Sequence, residues 1–151
     1  MDDKKKNARY ERLFGQIEDL MKKSDSSLSH MATICAVLHN KMDYFFWTGF
    51  YLLQEGKLHV GPYQGPLACQ ELEKEKGVCW AACNTKTSII VPDVSLYPGH
   101  IACDGRSKSE IAVPLISEDN KVVAVLDVDS QSLESFNNLD QEWLSKIITL
   151  I

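Results

Sequence analysis

Tyr44-Phe45-Phe46-Trp47-Thr48-Gly49-Phe50-Tyr51-Leu52-Leu53-Gln54-Glu55-Gly56-Lys57-Leu58-His59-Val60-Gly61 is the stretch that decides how this chain folds. Aromatic and aliphatic residues crowd residues 44–54, which reads as a strand. Glu55-Gly56-Lys57 then supplies a turn, and Leu58 to Gly61 reads as the returning strand. This is a hairpin, and a hairpin joins antiparallel neighbours. A second hairpin is expected downstream, with Ser109–Ser117 and Lys121–Ser130 meeting across Glu118-Asp119-Asn120. Pro114 points to an edge position or a strand end within it.

Helices are expected on both sides of this sheet. Residues 5–23 carry Tyr10, Leu13, Phe14, Ile17, Leu20 and Met21 at a spacing that paints one helical stripe. Ser24-Asp25-Ser26-Ser27 ends that helix and caps the next, whose apolar face is Leu28, Met31, Ile34, Cys35 and Leu38. A last helix runs from about Leu139 to Ile151, with Asn137 or Asn138 as its cap. Between the hairpins, Gly61, Pro62, Gly65 and Pro66 interrupt regular structure. A short helix over 77–84 and a short strand over Ser88–Val91 follow. Asp93–Lys108 is then a long loop, of the kind that often carries function. Together these elements predict an α+β fold, a central antiparallel sheet flanked by helices. A length of 151 residues suits one domain, spanning 1–151.

Composition narrows the function classes. With 44% hydrophobic and 25% charged residues the chain is an ordinary globular one. A net charge of -5 argues against nucleic acid as a partner. The only basic run, Lys4-Lys5-Lys6, is offset by Asp2 and Asp3 and reads as a solvated end. No stretch is apolar enough to span a membrane, and Met1–Lys6 has no signal-peptide core. A cytoplasmic location is expected.

Five cysteines, an odd number, cannot all pair within one chain: Cys35, Cys69, Cys79, Cys83 and Cys103. In a reducing compartment, clustered cysteines suggest catalysis or metal more than a structural framework. Cys35, on an apolar helix face, fits a small buried residue. Cys103 has His100, Arg106 and Lys108 nearby, which favour a thiolate, and Asp104, which opposes it. Cys79-x3-Cys83 and His100-x2-Cys103 come near zinc-ligand spacing, but neither is a C-x2-C pair. No resident metal or cofactor is expected.

Two further constellations stand on strands. In Leu126-Asp127-Val128-Asp129-Ser130, alternation puts Asp127 and Asp129 on one face, their Cα atoms about 6.5 Å apart, after Val123 and Val125. Such a carboxylate pair, joined by Glu110 on the neighbouring strand, could hold a ligand ammonium. In Trp47-Thr48-Gly49-Phe50-Tyr51 the two rings flank Gly49. The gap between them could admit a small apolar or thioether-like group. No dinucleotide, P-loop or nucleophile-elbow motif occurs.

Several segments, in order, resemble the free methionine-(R)-sulfoxide reductases, a group of GAF-domain enzymes. They are Trp47-x-Gly49-Phe50-Tyr51, Gly61-Pro62-Tyr63-Gln64-Gly65, Ala68-Cys69, Gly77-Val78-Cys79, Pro98-Gly99-His100-Ile101-Ala102-Cys103-Asp104, Ser109-Glu110-Ile111 and Leu126-Asp127-Val128-Asp129-Ser130. The resemblance covers about residues 10–151. It implies a single GAF domain and reduction of the R epimer of free methionine sulfoxide, with thioredoxin as reductant and no cofactor. It also implies roles for named residues. Cys103 matches the nucleophile, Cys69 the cysteine that forms a disulfide with it, and Cys79 the third family cysteine. Glu110, Asp127 and Asp129 match the substrate-binding carboxylates, and Trp47 and Tyr51 the aromatic walls. Trp80 and Cys83 depart from the family pattern, which has small residues there. A rival reading is a non-catalytic GAF module that binds a small regulatory ligand, though it leaves three loop cysteines unexplained. A homodimer is a further expectation, because the stripe on residues 10–21 looks wider than one small domain covers.

Overall fold

In the computed structural model, which describes residues 1–100 and 103–151, both expected hairpins form and join into one sheet. The first hairpin is β1 (Trp47–Gln54) and β2 (Lys57–Gln64). The second is β4 (Ser109–Ile116) and β5 (Val122–Ser130), with a three-residue β3 (Ile89–Val91) beside β4. The order is β2-β1-β5-β4-β3, and every neighbouring pair is antiparallel. Pro114 lies beyond the last β4 residue that β3 reaches, Ala112, so its missing N–H costs no sheet bond on that side.

Alternation along β5 divides the molecule into two layers. Ala124, Leu126 and Val128 enter a large core with Phe50, Ile111 and Val113. That core is closed by α1 (Asp3–Met21), α2 (Ser27–Lys41) and α4 (Asn138–Ile148). Val125 and Ala112 enter a smaller cluster on the opposite face, with Trp47, Tyr51 and the residues of α3 (Gly77–Thr85). The caps are as the sequence suggests. Ser26 accepts from the Ser29 N–H, and Asn137 forms a capping box with Asp140.

The sequence reading is corrected at four places. β2 does not stop at Gly61 but runs through Pro62 to Gln64. β2 has only β1 as a strand neighbour, so proline is tolerated, and a bulge opposite Phe50 absorbs Gly61 and Pro62. Leu28 is 62% exposed, and His30 takes its place on the buried face of α2. Val123 is exposed as well, so the buried row leading to the aspartates begins at Val125. Lys6 is not solvated. It is 4% exposed and donates to Asp140 at 2.7 Å and to the Ser135 carbonyl at 3.2 Å. The α1 stripe is covered within the chain by α2 and α4, so it supplies no argument for a second copy.

Candidate active site

A pocket opens on the smaller-cluster face, and all eight sequence candidates line it or close it. Trp47, Tyr51, Cys79, Cys103, Glu110, Asp127 and Asp129 line the pocket. Cys69 joins Cys103 in a disulfide, with Cα atoms 5.6 Å apart and a sequence separation of 34. The bond ties the loop after β2 to the long loop before β4. Cys103 is exposed and Cys69 half-buried, so the bond lies within reach of solvent. The Ile101-Ala102 step of the family-like motif lies outside the described residues.

The aromatic wall hangs on β1. Trp47 donates through Nε1 to the Pro66 carbonyl at 3.1 Å, and the Tyr51 hydroxyl donates to the Cys69 carbonyl at 3.1 Å. Both rings therefore hold the Cys69 loop as well as facing the pocket. Gly65 makes the close approach possible. Its φ is +117°, and a Cβ there would meet the Phe46 carbonyl at 2.8 Å. The expected slot over Gly49 is not open. The Trp47 indole lies across Gly49, and a Cβ at Gly49 would strike that ring and come within 2.5 Å of the Tyr63 Cβ. Trp47 stacks on Tyr51 and on Tyr63, with centroids 5.8 and 5.3 Å apart. Tyr63 was missed in the sequence. The bulge shifts the parity of β2, which turns Tyr63 toward the same side as Leu58 and Val60.

The acidic floor comes from β4 and β5, whose register sets Glu110 opposite Asp129. Glu110 and Asp127 are each 6% exposed. Burial, then the Asp129 charge, pushes the Glu110 carboxyl up to about 8. Burial, then the Glu110 charge, raises Asp127 well above the carboxylate range. Asp129 is raised by burial and by Asp127, although part of its surface stays open. Burial and the nearby acids thus favour the protonated form of all three carboxyls. His100 Nε2 lies 3.3 Å from Glu110 Oε1. Burial lowers the imidazole, which favours its neutral form beside this acid. Sequence reasoning flagged His100 as a positive neighbour of Cys103 and as half of a zinc-like spacing pair, and its neighbour Glu110 is visible only once β4 is in place.

Cys79 sits under the floor on α3, 3% exposed, and its thiol is raised by burial and then by Asp127. An inert, protonated thiol is the expected state there. Cys83, one helical turn on, is pushed up to about 11 by burial and Glu75. Cys35 is buried, pushed up to about 12 by burial, and contacts the Pro62 carbonyl at 3.4 Å. Trp80 fills space beneath the pocket at 5% exposure, and its Nε1 has no partner among the described residues. Arg106 does not reach toward the sulfur. It pairs with Asp104 at 2.7 Å and covers the Phe46 ring. That pairing lowers Asp104 to about 2.

A five-stranded antiparallel sheet with helices packed on one side and a loop-closed pocket on the other defines a GAF domain. The GAF domain family model matches residues 30–151. The chain is 43% identical over 147 residues to GAF domain-containing protein A of Dictyostelium discoideum, covering 97% of this chain and 92% of that protein. It is 52% identical over 108 residues to the free methionine-R-sulfoxide reductase of Saccharomyces cerevisiae, covering 70% of this chain and 60% of that protein. An X-ray structure of free methionine-R-sulfoxide reductase from Neisseria meningitidis in complex with its substrate superposes with a TM-score of 0.92. That match has 36% identity and covers 99% of this chain and 89% of that one. The chain belongs to the free methionine-R-sulfoxide reductases, a family of oxidoreductases.

Proposed function

We propose that this chain reduces free methionine (R)-sulfoxide to methionine, with Cys103 as nucleophile and Cys69 as the thiol that resolves it. The observation that carries the reading is the meeting, at one pocket, of the Cys69–Cys103 pair with two buried acids, Glu110 and Asp127, and the half-buried Asp129. In the reduced enzyme the Cys103 thiolate attacks the sulfoxide sulfur. The sulfoxide oxygen is protonated and passes to Cys103 as a sulfenic acid, while methionine leaves. The Cys69 thiol then displaces that oxygen as water and forms the disulfide. A dithiol reductant restores both thiols and becomes a disulfide itself. Thioredoxin fits this role, since the bond is accessible from solvent.

The acids divide the remaining work. A free amino acid brings an ammonium, and one or more of Glu110, Asp127 and Asp129 ionises to hold it. An acid that keeps its proton donates it to the sulfoxide oxygen, a role supported by the upward shift of all three carboxyls. Trp47 and Tyr51 offer apolar surface for the S-methyl end. Among the described residues no helix is long and apolar enough to cross a membrane.

The test is turnover of the two separated epimers of free methionine sulfoxide and of the N-acetylated R form. The free R epimer should be consumed, and acetylation should slow it by on the order of 10²-fold or more. Equal rates on free and acetylated substrate would remove the ammonium-binding role. Cys103→Ser should lower turnover by roughly three orders of magnitude or more. Cys69→Ser should still release one equivalent of methionine but fail to form the disulfide, as read by mass spectrometry. A full equivalent released by Cys103→Ser would transfer the nucleophile's role to another thiol.

A further inference from the structure

Cys79 Sγ, a Glu110 oxygen and an Asp127 oxygen lie within 4.8 Å of one another, and all three residues are buried. Zinc held by one thiolate at about 2.3 Å and two carboxylates at about 2.0–2.2 Å would draw these atoms to roughly 3.5 Å apart. Rotamer adjustments of about an ångström would close that difference. A second observation points the same way. Asp127 Oδ1 has no hydrogen-bond partner among the described residues, although Asp127 is only 6% exposed. A buried carboxylate oxygen without a donor is costly until something positive arrives. Arg106 is already paired with Asp104, and His100 faces Glu110. The donor set mixes one soft sulfur with two hard oxygens, which favours zinc-like ions over magnesium or calcium.

We propose that Cys79, Glu110 and Asp127 form a binding site for a thiophilic divalent cation, separate in its ligands from the Cys69–Cys103 pair. Cys79 binds as thiolate, and its proton leaves to solvent. The fourth position faces the pocket and takes water. The three groups lie together while Cys69 and Cys103 are joined, so the site exists in the disulfide form. Of the two spacing pairs that the sequence offers for zinc, only Cys79 takes part: Cys103 is engaged with Cys69, and Cys83 is not in the group. A metal-loaded protein would have Asp127 Oδ1 occupied, and the pocket would be closed to an ammonium. The binding itself does not depend on the substrate reading.

The test uses protein in which mass spectrometry has verified the Cys69–Cys103 disulfide. It is titrated with Co²⁺ followed by absorbance and with Zn²⁺ followed by calorimetry. One equivalent should bind, with a sulfur-to-cobalt charge-transfer band. Loss of outer-shell partners alone costs 10–100-fold in affinity, so Cys79→Ser should lose the band and about 100-fold or more. Glu110→Gln should keep the band and weaken zinc by about 10-fold or more. It serves as the measure if Cys79→Ser does not fold. Cys35→Ser and Cys83→Ser should bind as the parent does. No binding in the disulfide form, a cobalt complex without the sulfur band, unchanged affinity in Glu110→Gln, or loss in Cys83→Ser would each overturn the proposal.

Discussion

Two aspartates are buried on opposite faces of the same sheet, and they have opposite surroundings. Asp140, on the α1/α2/α4 side, is 0% exposed and fully partnered. It accepts from Lys6 Nζ and the Tyr10 hydroxyl at 2.7 Å each, from the Asn137 N–H at 2.8 Å, and from the Tyr44 hydroxyl. Burial raises both tyrosine hydroxyls, so they stay protonated donors. Asp127 is nearly as buried, yet its neighbours are two acids and a thiol, and one of its oxygens is unpartnered. The first arrangement is complete within the chain and fastens the N-terminal helix to the C-terminal one. The second is incomplete, and a ligand would complete it. Burial alone does not separate a structural acid from a functional one. The presence of donors does.

Substitutions on the two sides should therefore fail differently. Lys6→Met leaves Asp140 buried without its cation, and stability should fall by about 3–5 kcal/mol in urea unfolding. Turnover per folded molecule should hold. Asp127→Asn should lower turnover by on the order of 10²-fold, while unfolding midpoints stay level or rise, because a buried ionisable group without a donor is replaced by a neutral amide. An Asp127→Asn protein as destabilised as Lys6→Met would erase the distinction. Gly49→Ala forces the Trp47 ring off its seat against Tyr63. Overpacking of this kind should cost about 1–3 kcal/mol and raise KM more than it lowers kcat.

The most gradual effect is a slope. Glu110 is held at about 8 against about 4.3 in an unfolded chain. Between those values the native state binds more protons than the unfolded one. This contribution is fully present below the unfolded value and is lost as pH rises through about 8. Stability of the ligand-free protein should fall across that window, by at most roughly 1.4 kcal/mol per pH unit for this group. Asp127 and Asp129 are raised in the same direction and steepen the slope. Urea midpoints from pH 5 to 9 measure it. Glu110→Gln should flatten the profile, and a flat parent profile would mean the acids are not neutral.

Local patterning made the helices, both hairpins and the caps legible, because each is specified by residues a few positions apart. Strand alternation made the acids and the two aromatic rings legible as a group, and the roles of the loop cysteines came from motifs that resemble a known family. What the sequence hid depends on distant neighbours. Lys6 reads as a solvated end until Asp140, 134 residues on, is packed beside it. The Gly49 gap reads as open until the Trp47 ring is laid across it. Tyr63 reads as loop because a two-against-one bulge reverses which side of β2 faces the pocket. His100 gains its meaning from Glu110, which belongs to a different strand of the argument until the sheet forms.

The segment after Cys69 has one more duty. The Val60 N–H donates to the Gln70 carbonyl at 2.9 Å, the Leu72 N–H donates to the Leu58 carbonyl at 3.0 Å, and Glu71 bridges His59. These bonds occupy the outer rim of β2, which would otherwise offer unpaired backbone groups to any passing chain. If Cys69 cycles as proposed, these bonds hold the chain from Gln70 onward, so that its movement leaves the rim of β2 covered. A larger excursion would bare that strand edge to self-association.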